Sequence, residues 1–501
     1  MENVSISTQP SSFGEPDVKN TIECEVLIVG GGPSGLAACL QASELGLHTV
    51  LIEAKDSFSG NGSETEGVFA VGSFLQQETG IDIAMHKIVE HECKLFNYTV
   101  DALLWADMVK ASADNIGWLH KHGVGFSGIV DDYKGDGEFK TFHWFRLRTP
   151  DNRGDGSLLT QPLLTAIQKL GATMIPNVRG MELIVDEGTV KGVYAVNTKT
   201  GDVTKFNCRA VILATGGYVD NIGMMTERGF DMEHMAHRGK PGHNGDGLRM
   251  AVFAGAEDVS GRRTVMQKLH IHPLYMYSLT TDYIHLKGYS MWVNSNGERY
   301  ANETCGEKLK SFYTNAKMTQ DRTYSLFDSA LIEKYRITAP DIDADLKKLL
   351  DGPYHNCFKA DRLEELAVQA GIDPQTLRST VERYNSMCHK GTDEDFAKYP
   401  EKMVAIETPP YYLVRQDTAA LTSIGAVRTN RKFEAQKPGG KPIPGLYVIG
   451  VDGCELYRDS YSMSVPGSCN AHSIYSGRTA ANNALIFCRD NGYKNGDGNF
   501  A

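Results

Sequence analysis

The ten cysteines of this 501-residue sequence include no C-x-x-C pair, no apolar run nears membrane length, and the start carries no basic, apolar leader. Scattered cysteines give neither a disulfide framework nor a zinc or iron–sulfur ligand set, so they read as reduced, mostly buried thiols. A membrane span needs roughly 18 consecutive apolar residues, and none is present. The opening MENVSISTQPSSFGEPDVKN lacks the parts of a secretory signal and reads as a flexible arm over residues 1–22. The expectation is a soluble, cytoplasmic protein. Positive charge is also short: 51 Lys+Arg against 62 Asp+Glu leave a net charge of -11, which disfavours nucleic acid and anionic lipid and leaves a small molecule as the expected partner. Internal repeats, a haem-binding C-x-x-C-H and an FMN module are missing too.

What is there begins with length, which exceeds one simple core, and with 41% hydrophobic content, which fits a globular chain. Cys24–Ala54, CEVLIVGGGPSGLAACLQASELGLHTVLIEA, reads as a buried strand (Val26–Val29), a glycine turn, a helix from about Ser34 to Leu45 and a second strand (Thr49–Ile52). That is one βαβ unit. Helical patterns follow near residues 81–123 and 157–170, then a hairpin or meander ending on the buried strand Ala210–Ala214. From about Gly261 to Tyr412 the composition changes to aromatic-rich loops and charged helices, the look of an inserted domain. KPIPGLYVIG returns to the buried-strand idiom, followed by ELYRDSYSMSVPGS (Glu455–Ser468) and the small-residue helix AHSIYSGRTAANNAL.

Gly30, Gly32 and Gly35 match G-x-G-x-x-G between a strand and a helix, with Pro33 and Ser34 opening the helix. The first glycine permits the turn, the second admits a pyrophosphate and the third lets helix approach strand, while free helix amides hold the anion. Glu53, ending the second strand, is placed to bind ribose hydroxyls. A plain glycine turn is the alternative, which Glu53 outweighs. AVILATGG (Ala210–Gly217) is a second strand-to-glycine segment, and GLYVIGVDG (Gly445–Gly453) a third that carries Asp452.

These segments, with HNGDGLRMAVFAGAE (His243–Glu257), IHPLY (Ile271–Tyr275) and NGERYANE (Asn296–Glu303), resemble the flavoprotein family of fumarate reductase, succinate dehydrogenase and 3-ketosteroid dehydrogenases, over about residues 23–485. The resemblance implies an α/β fold: a Rossmann-like FAD-binding domain, split into residues 23–260 and 416–490, with an inserted α+β capping domain at 261–415 and the active site between them. Residues 491–501 read as a tail. It implies cofactor contacts at the three glycines, Pro33, Ser34, Glu53, Ala54, Val178, Ala214, Thr215, Gly216, Gly217, Asp246 and Asp452, the last on the ribityl chain. SGNGSETEG, with Gly60, Asn61, Gly62 and Ser63, resembles the loop that passes the isoalloxazine. Asn61 stands where membrane-bound relatives attach FAD through histidine, so the flavin is expected to be non-covalent.

Fumarate reductases clamp a dianion with cationic and hydrogen-bonding side chains. Here His272 corresponds to one family histidine, or merely packs. Thr422 replaces another, the family's proton-delivering arginine falls near Gly306, Glu307 or Lys308, and Ser464 stands at a further arginine position. Lys308 is a candidate donor or a surface lysine. Each lost charge-assisted hydrogen bond is worth roughly 1.5–3 kcal/mol, so fumarate and succinate are poor candidates. His272–Trp292 holds four tyrosines and a tryptophan, whose irregular spacing reads as loops around a pocket and otherwise as core. The SVPGS turn resembles that of ketosteroid dehydrogenases, with Ser464, Gly467 and Ser468 beside the flavin. Tyr461, then Tyr457 and Arg458, are the candidates to polarise a carbonyl or move a proton. The expected function is FAD-dependent reduction of an activated alkene, enone or enoate, of a bulky, largely neutral steroid-like or aromatic compound. A desaturase and a non-catalytic, electron-carrying flavoprotein are the alternatives. No second G-x-G-x-x-G is found, so electrons are expected from a separate reductase, reduced flavin or NAD(P)H.

Overall fold

Val26, Leu27 and Ile28 have no exposed surface. A strand so uniformly apolar belongs inside a parallel sheet covered on both faces. The computed structural model, which describes residues 16–146, 157–239, 241–262, 265–275, 278–306, 311–459 and 461–491, places it there. Six strands run in the order Glu434–Gln436, Pro442–Val448, Ala210–Leu213, Val26–Val29, Thr49–Glu53, Thr173–Pro176. The first pair is antiparallel and the other neighbours are parallel. The helix Pro33–Glu44 leaves this sheet with Pro at its first position and stops at Gly46, which adopts φ +80°, the left-handed residue that ends a helix cheaply. The final helix, Ser468–Asp490, crosses it closely: a Cβ at Gly477 would sit 2.5 Å from the Ser34 carbonyl oxygen.

The chain divides into two compact units, one of Met1–Gly229, Gly239–Val265 and Thr422–Ala501, the other of Phe230–Arg238 and Met266–Leu421. The second therefore takes in an upstream piece that no change of composition marks. Its strand Met235–Arg238 pairs in parallel with Asp417–Ser423, so backbone pairing recruits it. The second unit's other sheet is antiparallel, in the order Met291–Asn294, Thr323–Asp328, Tyr411–Arg415, Cys357–Ala360. Beside it the buried Arg299 guanidinium pairs with Glu303 and Asp393, at 2.8 and 2.7 Å, and the fully buried Lys398 ammonium stands 3.4 Å from Glu303. Lys398 also donates to the Tyr384 hydroxyl at 2.8 Å.

Two expectations change. The arm is not loose throughout, because Val18–Glu23 forms an edge strand parallel to Val203–Asn207; residues 1–15 lie outside the described residues. The aromatic run is mainly core. Trp292 is wholly buried with Leu269, Leu286 and Tyr313, and Tyr283 and Tyr289 pack on Tyr335. Only Tyr275 is exposed among its described tyrosines, and Tyr277 lies outside the described residues. Irregular spacing here reflects short helical turns and a strand whose aromatics fill two separate core clusters.

Candidate active site

The three motif glycines are needed for different reasons. Gly30 adopts φ +109°, and a Cβ there would lie 2.2 Å from the Ala214 carbonyl oxygen; at Gly35 it would lie 1.9 Å from that of Gly30. Both are forced by packing of the chain on itself. At Gly32 a Cβ would meet nothing nearer than the Gly60 Cα at 4.0 Å, so the protein leaves open space where the mechanism calls for a pyrophosphate. Helix Pro33–Glu44 starts there with no side-chain cap on its amides. Glu53 accepts from the Gly31 amide at 2.7 Å through Oε2 and from the Lys55 amide at 3.0 Å through Oε1. Each oxygen keeps a second acceptor position for a ribose hydroxyl.

Gly62 packs against Pro33 and Gly60 against Gly32, so the loop holding Asn61 and Ser63 borders the same open space. Ala54 accepts from Thr198 at 3.2 Å, and Val178 opens a strand beside Asn177, whose amide donates to Lys55 at 2.8 Å. The residues present fit an FAD dinucleotide. When bound, FAD supplies hydride chemistry, and the turn at Gly32, the helix amides and Glu53 would hold its pyrophosphate and ribose.

Two expected acids are engaged within the protein. Asp452 is fully buried and accepts from the amides of Thr215, Gly216 and Gly217, at 2.6, 3.1 and 2.8 Å, and from the Thr215 hydroxyl at 2.9 Å. Burial pushes its carboxyl up, and those four donors pull it back. Its part is to shape the Ala214–Gly217 loop, whose first amide donates to Val29 at 2.8 Å. Asp246 is held by a two-pronged Arg179 pair at 2.7 Å and by Arg249.

The stretch after Asp452 folds inward. Trp105 Nε1 donates to the Leu456 carbonyl at 2.9 Å, and Tyr457 stands edge-on to Trp105, Phe96 and Tyr461. The Tyr457 and Ser468 hydroxyls lie 2.7 Å apart. Burial pushes the phenols of Tyr457 and Tyr461 well above the usual range, against a smaller opposing pull from Ser468. Arg458 donates to the Thr99 carbonyl. Gly467, at φ +78°, begins the final helix against Val68 and Phe69, where a side chain would clash.

Ser464 is the position the sequence left least explained. Its hydroxyl donates to Oε1 of Glu92, a residue the sequence reading passed over, and Ser462 Oγ lies 2.5 Å from Ser464 Oγ. Glu92 has no exposed surface, and its Oε2 has no partner among the described residues. Burial pushes this carboxyl up to about 7, opposed by Ser464 and Ser462. A signal was present: on the helix Met85–Leu95, Glu92 follows Ile88 by one turn and shares its buried face.

His272 belongs to the second unit. Its amide donates to Asp417 at 3.1 Å, and its ring stands edge-on to Tyr354 with 4.3 Å between centroids. Lys308 lies outside the described residues. Among those described, no group of three or more His, Cys, Asp and Glu is placed to hold a metal ion, and no helix is long and apolar enough to cross a membrane. All ten cysteines are free thiols.

Known proteins resemble this chain along most of its length. A family described as FAD binding domain matches residues 25–464. The chain is 28% identical over 489 residues to a vinyl phenol reductase of Lactiplantibacillus plantarum, covering 92% of this chain and 96% of that one. It is 26% identical to a urocanate reductase of Eggerthella lenta, covering 93% and 75%. Solved structures with this fold include an open flavocytochrome c3 fumarate reductase, at TM-score 0.68 and 22% identity over 94% of this chain and 79% of that one. Another is a 3-ketosteroid-Δ4-(5α)-dehydrogenase of Rhodococcus jostii, at TM-score 0.68 and 21% identity over 95% and 98%. The glycine turn, the open space at Gly32 and the matched family together establish that this chain belongs to the FAD binding domain family and is an FAD-dependent oxidoreductase of the fumarate reductase type.

Proposed function

We propose that this chain reduces the C=C bond of a bulky, largely neutral alkene, an aromatic alkene such as a vinyl phenol first and a steroid-like enone second. The observation that carries the reading is the Ser464–Glu92 contact. Where fumarate reductases are expected to present arginine to a carboxylate, this chain presents a serine backed by a buried carboxyl. A carboxylate substrate would find no cation there and, above neutral pH, a like charge. The resemblance to a vinyl phenol reductase over nearly the whole of both chains supports the same substrate class.

Tyr461 and Tyr457 fit the role of neutral hydrogen-bond donors that orient or polarise the substrate. A phenol pushed up by burial holds its proton firmly, which suits donation of a hydrogen bond more than transfer of a proton. The remaining contribution of the protein is orientation and exclusion of water. Electrons come from an external donor, a reductase, reduced flavin or NAD(P)H. The experiment is anaerobic reoxidation of the reduced enzyme by alkenes of contrasting charge, with product analysis. Reduction of a vinyl phenol or an enone supports the reading. Bleaching of the oxidised flavin by a saturated ketone would instead mark a desaturase, and no response to any alkene an electron carrier.

A further inference from the structure

The proton that must accompany hydride has no assigned source once the tyrosines are read as hydrogen-bond donors. Glu92 is the titratable group whose placement answers this. It is fully buried, one oxygen is tied to the Ser464 hydroxyl, and the other has no partner among the described residues. Ser462 Oγ lies 3.5 Å from the same carboxyl oxygen and 2.5 Å from Ser464 Oγ, so two hydroxyls converge on the acid. His91 Nε2 stands 3.9 Å from that same oxygen, Oε1, and the His91 side chain is 30% exposed. That gap is about one ångström beyond a hydrogen bond and closes with one ring adjustment.

We infer that His91, Glu92 and Ser464 form a proton path, in which the Glu92 carboxyl is the internal acid and the Ser464 hydroxyl carries its proton to the substrate. The inference rests on the alkene-reduction reading above. In the step, the C=C π bond breaks and two C–H bonds form. One carbon receives hydride and its electron pair from reduced FAD, the other a proton from the Ser464 hydroxyl. For this the Ser464 hydroxyl, which donates to Glu92 at rest, turns toward the substrate and accepts the proton of Glu92 Oε1, leaving a carboxylate, which solvent reprotonates through His91. Glu92 and Ser464 act here as relay residues. The titratable neighbours of Glu92 are His91 and Cys93 on its own helix and Tyr461 on the facing segment, with Glu138 acting on His91. The upward shift of the Glu92 carboxyl to about 7 matches an acid that gives up its proton near neutrality.

The test uses the FAD-loaded enzyme and three variants, Glu92→Gln, Glu92→Asp and Ser464→Ala. Infrared difference spectra against pH should show a protonated-carboxyl band that titrates near neutrality in the wild type and is missing from Glu92→Gln. In rapid mixing, the reoxidation of reduced enzyme by alkene should slow by about 100-fold or more in Glu92→Gln and Ser464→Ala, the scale of a lost general acid. Flavin content and flavin reduction by an artificial donor should be unchanged in Glu92→Gln. Glu92→Asp should recover part of the rate with a displaced pH midpoint. Wild-type rates and pH profile in a folded Glu92→Gln, or the absence of the titrating band, overturn the path while leaving alkene reduction standing. If no alkene reoxidises the wild-type flavin, the reduction reading falls and the path with it.

Discussion

Gly32 and Glu92 carry the most testable chemistry at the scale of single residues. Because a Cβ at Gly32 enters open space, Gly32→Ala should leave the melting temperature of the apoprotein unchanged and weaken FAD by at least about tenfold, roughly 1.4 kcal/mol. Titration of apoprotein with FAD measures this. Gly30→Ala, with its backbone clash and φ of +109°, should fail to fold instead. Glu92 makes a signed prediction. Its carboxyl lies at about 7 when folded, against an ordinary value of 4.5, so between those values the folded state keeps a proton that the unfolded state releases. The contribution of protonated Glu92 is then full below about pH 4.5 and is lost as pH rises to about 7, by about 3 kcal/mol. Denaturant unfolding across pH 5–8 should show wild-type stability falling relative to Glu92→Gln, and a flat difference would contradict the buried acid. The glycines and Glu53 were legible because their spacing is dictated by stereochemistry. Glu92 was not, because Lys87, Glu90 and Lys94 around it read as a solvated helix, and only its alignment with Ile88 shows which way it faces.

At the scale of elements, buried apolar strands and glycine-ended helices were readable in place. The sheet strand Val26–Val29 and the final helix needed only local pattern. The aromatic run of the second unit misled, since the partners that fill its core, Tyr335 and Tyr313, come from later helices. The same unit is held by charge as well as by apolar packing. Arg299, Glu303, Asp393 and Lys398 form a compensated buried network. Removing one member leaves a buried charge unpaired, at a cost of roughly 3–5 kcal/mol. Arg299→Met should therefore lower the unfolding midpoint of the second unit sharply, as calorimetry would show, while FAD stays bound to the first. An unchanged midpoint would mean that the network is not needed for stability.

For the molecule as a whole, the cofactor was legible and the substrate was not, for one physical reason. FAD is recognised by a continuous βαβ segment, whereas the Ser464–Glu92 contact joins residues 372 apart in sequence. No pattern along the chain reports that approach. The proposed substrate class follows from it: if Ser464 takes the place of the arginine, the Glu92 carboxyl lies where a dianion would need a cation. The decisive measurement is anaerobic stopped-flow reoxidation of the photoreduced enzyme by a neutral vinyl phenol and, separately, by fumarate at equal concentration. With two charge-assisted hydrogen bonds missing, each worth at least about 1.5 kcal/mol, the account predicts that oxidised-flavin absorbance returns about 100-fold faster with the vinyl phenol. Equal or faster reoxidation by fumarate, with no response to neutral alkenes, would contradict it.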